Sequence, residues 1–200
     1  MRKKYRCIFE ENTFINEKDK NYKNYCDFKN RTEKEPYKKF YDKRLFRYTL
    51  NCKLKEQGKS ITVILMNPSY ADEYGLDSTL RNVREFLEKQ KEYSEFNVLN
   101  IFPIRTANSN HLLNLMKKYP KEIQEENNKY IKKVLNKSKY VLAAWGSKYH
   151  NEAKWITDLI KNKEVYAYSI NKNGTPRHFA PQSYNRVKKY NKLKLKKYEL

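Results

Sequence analysis

Four apolar runs of strand length, each ending in residues that plain folding would not choose, constrain this chain more than anything else in it. Ile61 to Met66 runs into Asn67-Pro68-Ser69, and Phe96 to Phe102 into Pro103-Ile104-Arg105-Thr106. Tyr140 to Ala144 runs into Trp145-Gly146-Ser147, and Val165 to Ile170 into a loop carrying Gly174-Thr175-Pro176-Arg177-His178. As neighbouring parallel strands, the four would bring all their tips to one rim. In open α/β sheets that rim, outside the carboxyl ends of the strands, is where ligands bind.

The stretches between these runs have helical spacing. A helix is expected from about Thr79 to Glu92, with Leu80, Val83, Phe86 and Leu87 on one face and Asp77 or Ser78 as cap. A short one follows over about Ser109 to Lys118. Pro120 can start a third, with Ile123, Tyr130, Ile131, Val134 and Leu135 inward. A fourth covers about Lys148 to Lys161 through Ala153, Ile156 and Ile160. Leu45 to Leu50 reads as a strand and Glu56-Gln57-Gly58-Lys59 as a turn. The alternation of strands and helices predicts a three-layer α/β/α sandwich with a mainly parallel central sheet and right-handed crossovers. The expected organisation is a basic, weakly patterned segment over 1–43 with a strand near Tyr5 to Phe9, an α/β domain over 44–187, and a basic tail or edge strand over 188–200.

Composition narrows the class. The 200 residues suffice for one buried core. No apolar run is long enough to span a membrane, and none behind Met1 has the length of a signal peptide. Cys7, Cys26 and Cys52 are odd in number and lack metal spacing, so they read as reduced thiols of a cytoplasmic protein. With 3 histidines and no Cys/His pairing, neither a zinc site nor a cofactor is expected. The 44 Lys and Arg against 23 Asp and Glu leave a formal charge of +21. Basic residues exceed acidic by 7 in residues 1–50, by 7 in 101–150 and by 8 in 151–200, while 51–100 has a deficit of 1. Nucleic acid or a nucleotide is the partner such an excess favours; the plain alternative is a Lys-, Asn- and Tyr-rich surface that only solvates the chain.

Each tip residue has a sharp and a plain reading. Asn67-Pro68-Ser69 is a turn signature, yet a carboxamide deep at a strand end needs partners, and a base or a water would serve. Asp77 is a natural N-cap and also the best carboxylate near the first rim. Thr79 and Arg81 sit at a helix start that favours phosphate, and Ser69 of the first tip joins them as a nucleotide-binding candidate; Arg81 could equally be a surface charge. Arg105 and Arg177 suit bidentate phosphate contact. Asn100, Phe102 and Trp145 complete a candidate nucleotide site, with Trp145 as a stacking surface or else a core residue under a loop. His111 and His150 read as surface residues, and His178 as the histidine placed for chemistry.

Leu65-Met66-Asn67-Pro68-Ser69-Tyr70-Ala71-Asp72, Asp77-Ser78-Thr79-Leu80-Arg81, Asn100 to Thr106, Ala143-Ala144-Trp145-Gly146 and Gly174 to His178 together resemble the motif series of the domain of unknown function 1643 family, from about Arg47 to about Val187. Their order is also similar to that of the uracil-DNA glycosylase superfamily. That likeness implies a uracil-DNA glycosylase-like fold and a metal-independent cleavage of an N-glycosidic bond. Asn67 and Asp77 would hold the water, His178 would stabilise the departing base, and Phe102 or Trp145 would stack on it. A non-catalytic nucleotide-binding module, and a structural nucleic-acid protein acting through its basic ends, are the competing expectations.

Overall fold

The computed structural model describes residues 5–9, 46–69, 71, 76–107, 109–190 and 194–199. Apart from 5–9, the expected N-terminal segment lies outside the described residues. Among them, seven strands form one sheet in the order β1-β2-β4-β3-β5-β6-β7. The strands are β1 (Tyr5–Phe9), β2 (Arg47–Lys53), β3 (Lys59–Leu65), β4 (Tyr93–Asn100), β5 (Tyr140–Ala143), β6 (Glu164–Ala167) and β7 (Lys196–Lys197). Five α-helices accompany them: α1 (Ser78–Gln90), α2 (Leu112–Met116), α3 (Lys121–Asn136), α4 (His150–Ile160) and α5 (Pro181–Tyr190).

The strand period of two sorts the core into two layers. Ile61, Val63 and Leu65 of β3, with Phe96 and Val98 of β4, pack among Leu80, Val83, Phe86 and Leu87 of α1 and Tyr184 of α5. Ile64, Leu99, Val141 and Ala143 face the other way, onto Leu112 of α2, Ile131 and Leu135 of α3, and Ala153, Ile156 and Ile160 of α4. The central strands are therefore covered on both sides, and Ile61 to Leu65 are buried without a break. Helix α1 starts where Asp77 Oδ1 accepts from the Leu80 N–H at 2.9 Å and stops at Lys91, whose φ of 60° is left-handed.

The expected sheet needs one correction. It is mixed, not mainly parallel. β3–β4, β3–β5 and β5–β6 pair parallel, whereas β1–β2, β2–β4 and β6–β7 pair antiparallel. For β2 the cause is the turn that follows it. Only residues 54–58 separate β2 from β3, too few for the crossover that two strands of the same direction require. The turn passes over the start of β4, tied by Leu54 N–H to Ser94 O at 2.7 Å and by Ser94 Oγ to Gly58 O at 2.9 Å. Gly58, at φ 146°, allows that approach: a Cβ there would lie 2.7 Å from Glu92 O.

Two further elements complete the sheet's surroundings. Pro181–Tyr190 forms α5, which no expectation covered. The basic C-terminal stretch supplies the edge strand β7, with Lys197 opposite Tyr166. The four central strands run the same way, Leu65 opposite Asn100 and Ile64 opposite Ala143, so their carboxyl tips share one rim.

Candidate functional site

At that rim the sequence opens a cleft of about 520 Å³. The β3 tip brings Asn67 and Ser69, the α1 start brings Asp77 and Thr79, and the loop after β6 brings Arg177 and His178. Trp145 and Gly146 close the β5 side. Seven of the residues singled out in the sequence thus meet at one cavity. Asn100, Phe102, Arg105 and Arg81 do not line it.

Local folding explains how each arrives. Asn67 is half-buried, and its Nδ2 donates to Pro68 O at 2.8 Å and to Thr106 O at 2.7 Å. The carboxamide nitrogen thus binds the β3 tip to the loop after β4. Arg105 is 5 % exposed and donates from Nε to Ser69 O at 3.1 Å. It stiffens the same two loops from beneath. Arg81 is exposed on α1 and donates to Leu76 O at 3.0 Å.

Asn100 is buried at the end of β4, where its Oδ1 accepts from Arg47 Nη2 at 2.9 Å. Arg47 also donates from Nη1 to Ala71 O at 2.7 Å. This arginine, 1 % exposed in the floor of the cleft, escaped the sequence reading. The signal was there: a guanidinium in the apolar run Phe46-Arg47-Tyr48 must be buried with acceptors of its own. Lys148, Asn171 and Ser183 also line the cleft and carried no sequence signal beyond polarity.

The aromatic residues sit deeper than a stacking role requires. Phe102 is 6 % exposed and packs edge-on to Tyr149, with ring centroids 5.4 Å apart. Trp145 is fully buried. Its indole N–H donates to His150 Nδ1 at 3.1 Å, and the Tyr198 ring meets it edge-on at 6.2 Å. The Trp145 ring thus forms part of the wall behind the cleft and presents no open face.

The loop bearing Arg177 and His178 is firmly anchored. Ile170 bridges Pro176, Arg177 N–H donates to Ser169 O at 2.9 Å, and Gly146 N–H donates to Pro176 O at 3.0 Å. Gly146 has φ 80°, and a Cβ there would lie 3.4 Å from the His178 Cβ. The tight pass of β5 beside the loop therefore suits glycine. His178 is held in the cleft wall, where desolvation brings its pKa down to about 4; the Asp77 carboxylate works weakly the other way. The imidazole is neutral at pH 7. Arg177 Nε is buried and makes no hydrogen bond.

Chemically, the cleft offers three cationic side chains, Arg47, Lys148 and Arg177, a neutral imidazole, one carboxylate on a helix cap, and hydroxyls at the starts of α1 and α5. Among the described residues no group of three His, Cys, Asp or Glu side chains gathers to hold a metal. No helix there is long and apolar enough to cross a membrane.

A mixed α/β/α sandwich with a polar, cationic cleft at its strand tips is the class that fold and site define. The profile of a family described as protein of unknown function, DUF1643, matches residues 47–179, and the chain belongs to that family. The match starts at the buried arginine of β2 and ends one residue past His178, so it contains every cleft-lining residue except Ala180 and Ser183. No curated protein and no solved structure matches the chain.

Proposed function

We propose that the cleft receives a nucleotide, free or as one unit of a nucleic-acid strand, with its phosphate on Arg177 and its base beside His178. The observation that carries this reading is Arg177. Its half-buried guanidinium lines the cleft while its Nε lacks an acceptor among the described residues, and a phosphate oxygen in the cleft gives the group a charge-assisted partner. The first turn of α1, with Thr79, and that of α5, with Ser183, face the same space and favour an anion. The +21 charge raises the local concentration of any polyanionic substrate.

A second reading is favoured by the neutral His178. Cleaving an N-glycosidic bond moves the bonding pair onto the departing base while a water oxygen bonds to the sugar carbon. An imidazole N–H, already neutral, can donate to the base oxygen that gathers this charge. The free oxygen of Asp77 can hold the water and take the proton that it loses as it bonds to the sugar carbon. The order of the rim motifs, similar to the uracil-DNA glycosylase superfamily, points the same way as a fold analogy only. Asn67 supports the water less directly, because its nitrogen ties loops and only Oδ1 remains to orient it.

Thermal shift against mononucleotides tests the first reading. A nucleotide at a hundred times its dissociation constant stabilises the protein by about 2.7 kcal/mol, and Arg177→Ala abolishes that shift while the melting temperature of the free protein holds. If no nucleotide moves the wild-type transition, the reading fails. Release of abasic sites from oligonucleotides containing uracil or hypoxanthine tests the second. His178→Ala lowers that release by about a hundredfold or more, because such a donor acts mainly in the transition state.

A further inference from the structure

The C-terminal stretch is rich in lysine, yet among its described residues 194–199 the one deeply placed side chain leads back to the cleft. Lys194, Lys196 and Lys197 are exposed. Tyr198 is 7 % exposed and belongs to the core layer under α3 and α4. Its N–H donates to Val165 O at 2.9 Å, which continues the pairing of β7 along β6. Its ring packs edge-on against Trp145, and its hydroxyl donates to Gly174 O at 3.2 Å.

These two contacts reach two adjoining elements of the cleft, the β5 tip and the loop after β6. Trp145 stands at the β5 tip immediately before Gly146, which binds Pro176 O. Gly174 stands in the turn that aims Arg177 and His178. That turn is stiffened by Asn171 Nδ2 to Thr175 Oγ1 at 3.0 Å and by Thr175 Oγ1 to Asn173 Oδ1 at 2.7 Å. This network fixes where two cleft-lining elements stand relative to each other. β7 itself is two residues long, so its hold on the sheet depends on the tyrosine that follows it.

We propose that the C-terminal strand is a brace of the cleft, and that Tyr198 is a positioning residue for the Trp145 tip and for the loop that carries Arg177 and His178. The lysines beside it are not part of the brace. Burial raises the Tyr198 pKa, so its hydroxyl stays protonated and donates throughout the working pH range. Removing the ring opens the back of Trp145 to water and frees the Gly174 turn. Removing the hydroxyl frees the turn alone.

The test uses the full chain in a Trp155→Phe background, so that Trp145 alone reports by fluorescence. Tyr198→Ala shifts Trp145 emission to the red and raises its quenching by acrylamide severalfold. It also moves the His178 titration, followed by NMR and assigned with His178→Gln, from about 4 toward the ordinary 6.5. Tyr198→Phe keeps the emission and gives a smaller rise in the His178 value, which a merely folded or unfolded outcome would not produce. A Lys196→Gln, Lys197→Gln double variant changes neither. Unchanged emission and titration in Tyr198→Ala overturn the brace, as does a Lys double variant that reproduces its effects.

A final arm rests on the nucleotide reading. Uridine 5′-monophosphate and a uracil-containing single-stranded oligonucleotide are the probes, and Tyr198→Ala weakens their binding about tenfold. If the wild-type protein binds neither probe, the nucleotide reading loses its support, while fluorescence and titration still decide the brace.

Discussion

Desolvation sets the His178 imidazole in the cleft wall well apart from an imidazole in water. Its pKa stands at about 4 in the folded chain, against an ordinary value near 6.5. Between those values the unfolded chain takes up a proton that the folded chain refuses. Stability therefore falls as pH drops through this window, is complete above it, and levels off below it. Denaturant unfolding of the wild type and of His178→Gln, at intervals from about pH 7 to about pH 4, gives a slope in the first that flattens in the second. Equal slopes would mean that His178 titrates normally and that its imidazole is open to water. The histidine was recognisable in the sequence because it follows Arg177 in a turn-forming run. Its neutral state was not, because desolvation depends on walls brought from β3, β5 and α1. Trp145 makes the same point in reverse. Its place at a strand tip fits either a stacking surface or a core residue, and the choice is made by Tyr198, far along the chain.

The helices separate local from tertiary information. Helix α1 was readable in detail, since Leu80, Val83, Phe86 and Leu87 recur at helical spacing and are all buried. Asp77 caps it, and the cap alone accounts for a carboxylate there. Asp77→Ala therefore costs about 1 kcal/mol of stability, seen as a lower denaturant midpoint. Asp77→Asn keeps the cap and loses the charge. If the carboxylate has a second task at the cleft, Asp77→Asn retains the midpoint but loses nucleotide binding or base release. If Asp77→Asn matches the wild type in both, the residue is a cap and nothing more. Helix α5 was not readable. Its apolar content is thin, with Tyr184 and Val187 one turn apart among Ser, Asn, Arg and Lys. Tyr184 is buried by the ring cluster of Phe86, Tyr168 and Phe179, a contact that no spacing rule contains. The direction of β2 was implicit in the short turn at Glu56-Gln57-Gly58-Lys59. It became decisive only with the pairing to β4, which sets β2 and β3 on opposite sides of the same strand.

The protein as a whole combines a near-neutral second quarter with strongly basic remaining quarters, and the proposed nucleotide reading predicts two kinds of binding from that arrangement. In the cleft, a nucleotide would meet Arg177 and the helix starts, a small number of charges in a confined space. On the outside, several cations stand close to the residues that line the mouth. Lys172 follows Asn171, Arg186 lies one turn beyond Ser183 on α5, and Lys194 precedes the β7 edge, all three exposed. A strand threaded through the cleft would pass its flanking phosphates over such groups. Counterion release then makes the affinity for a single-stranded oligonucleotide fall with salt, with a log–log slope of about −0.7 for each phosphate neutralised. A mononucleotide in the cleft touches few phosphates and shows a slope no steeper than about −1. The Lys172→Gln, Arg186→Gln, Lys194→Gln variant therefore flattens the oligonucleotide slope by up to about 2 and leaves mononucleotide affinity within about twofold. Fluorescence anisotropy at a series of salt concentrations measures both. An unchanged oligonucleotide slope would show that these cations only solvate the surface, and would leave the cleft as a site for a free nucleotide.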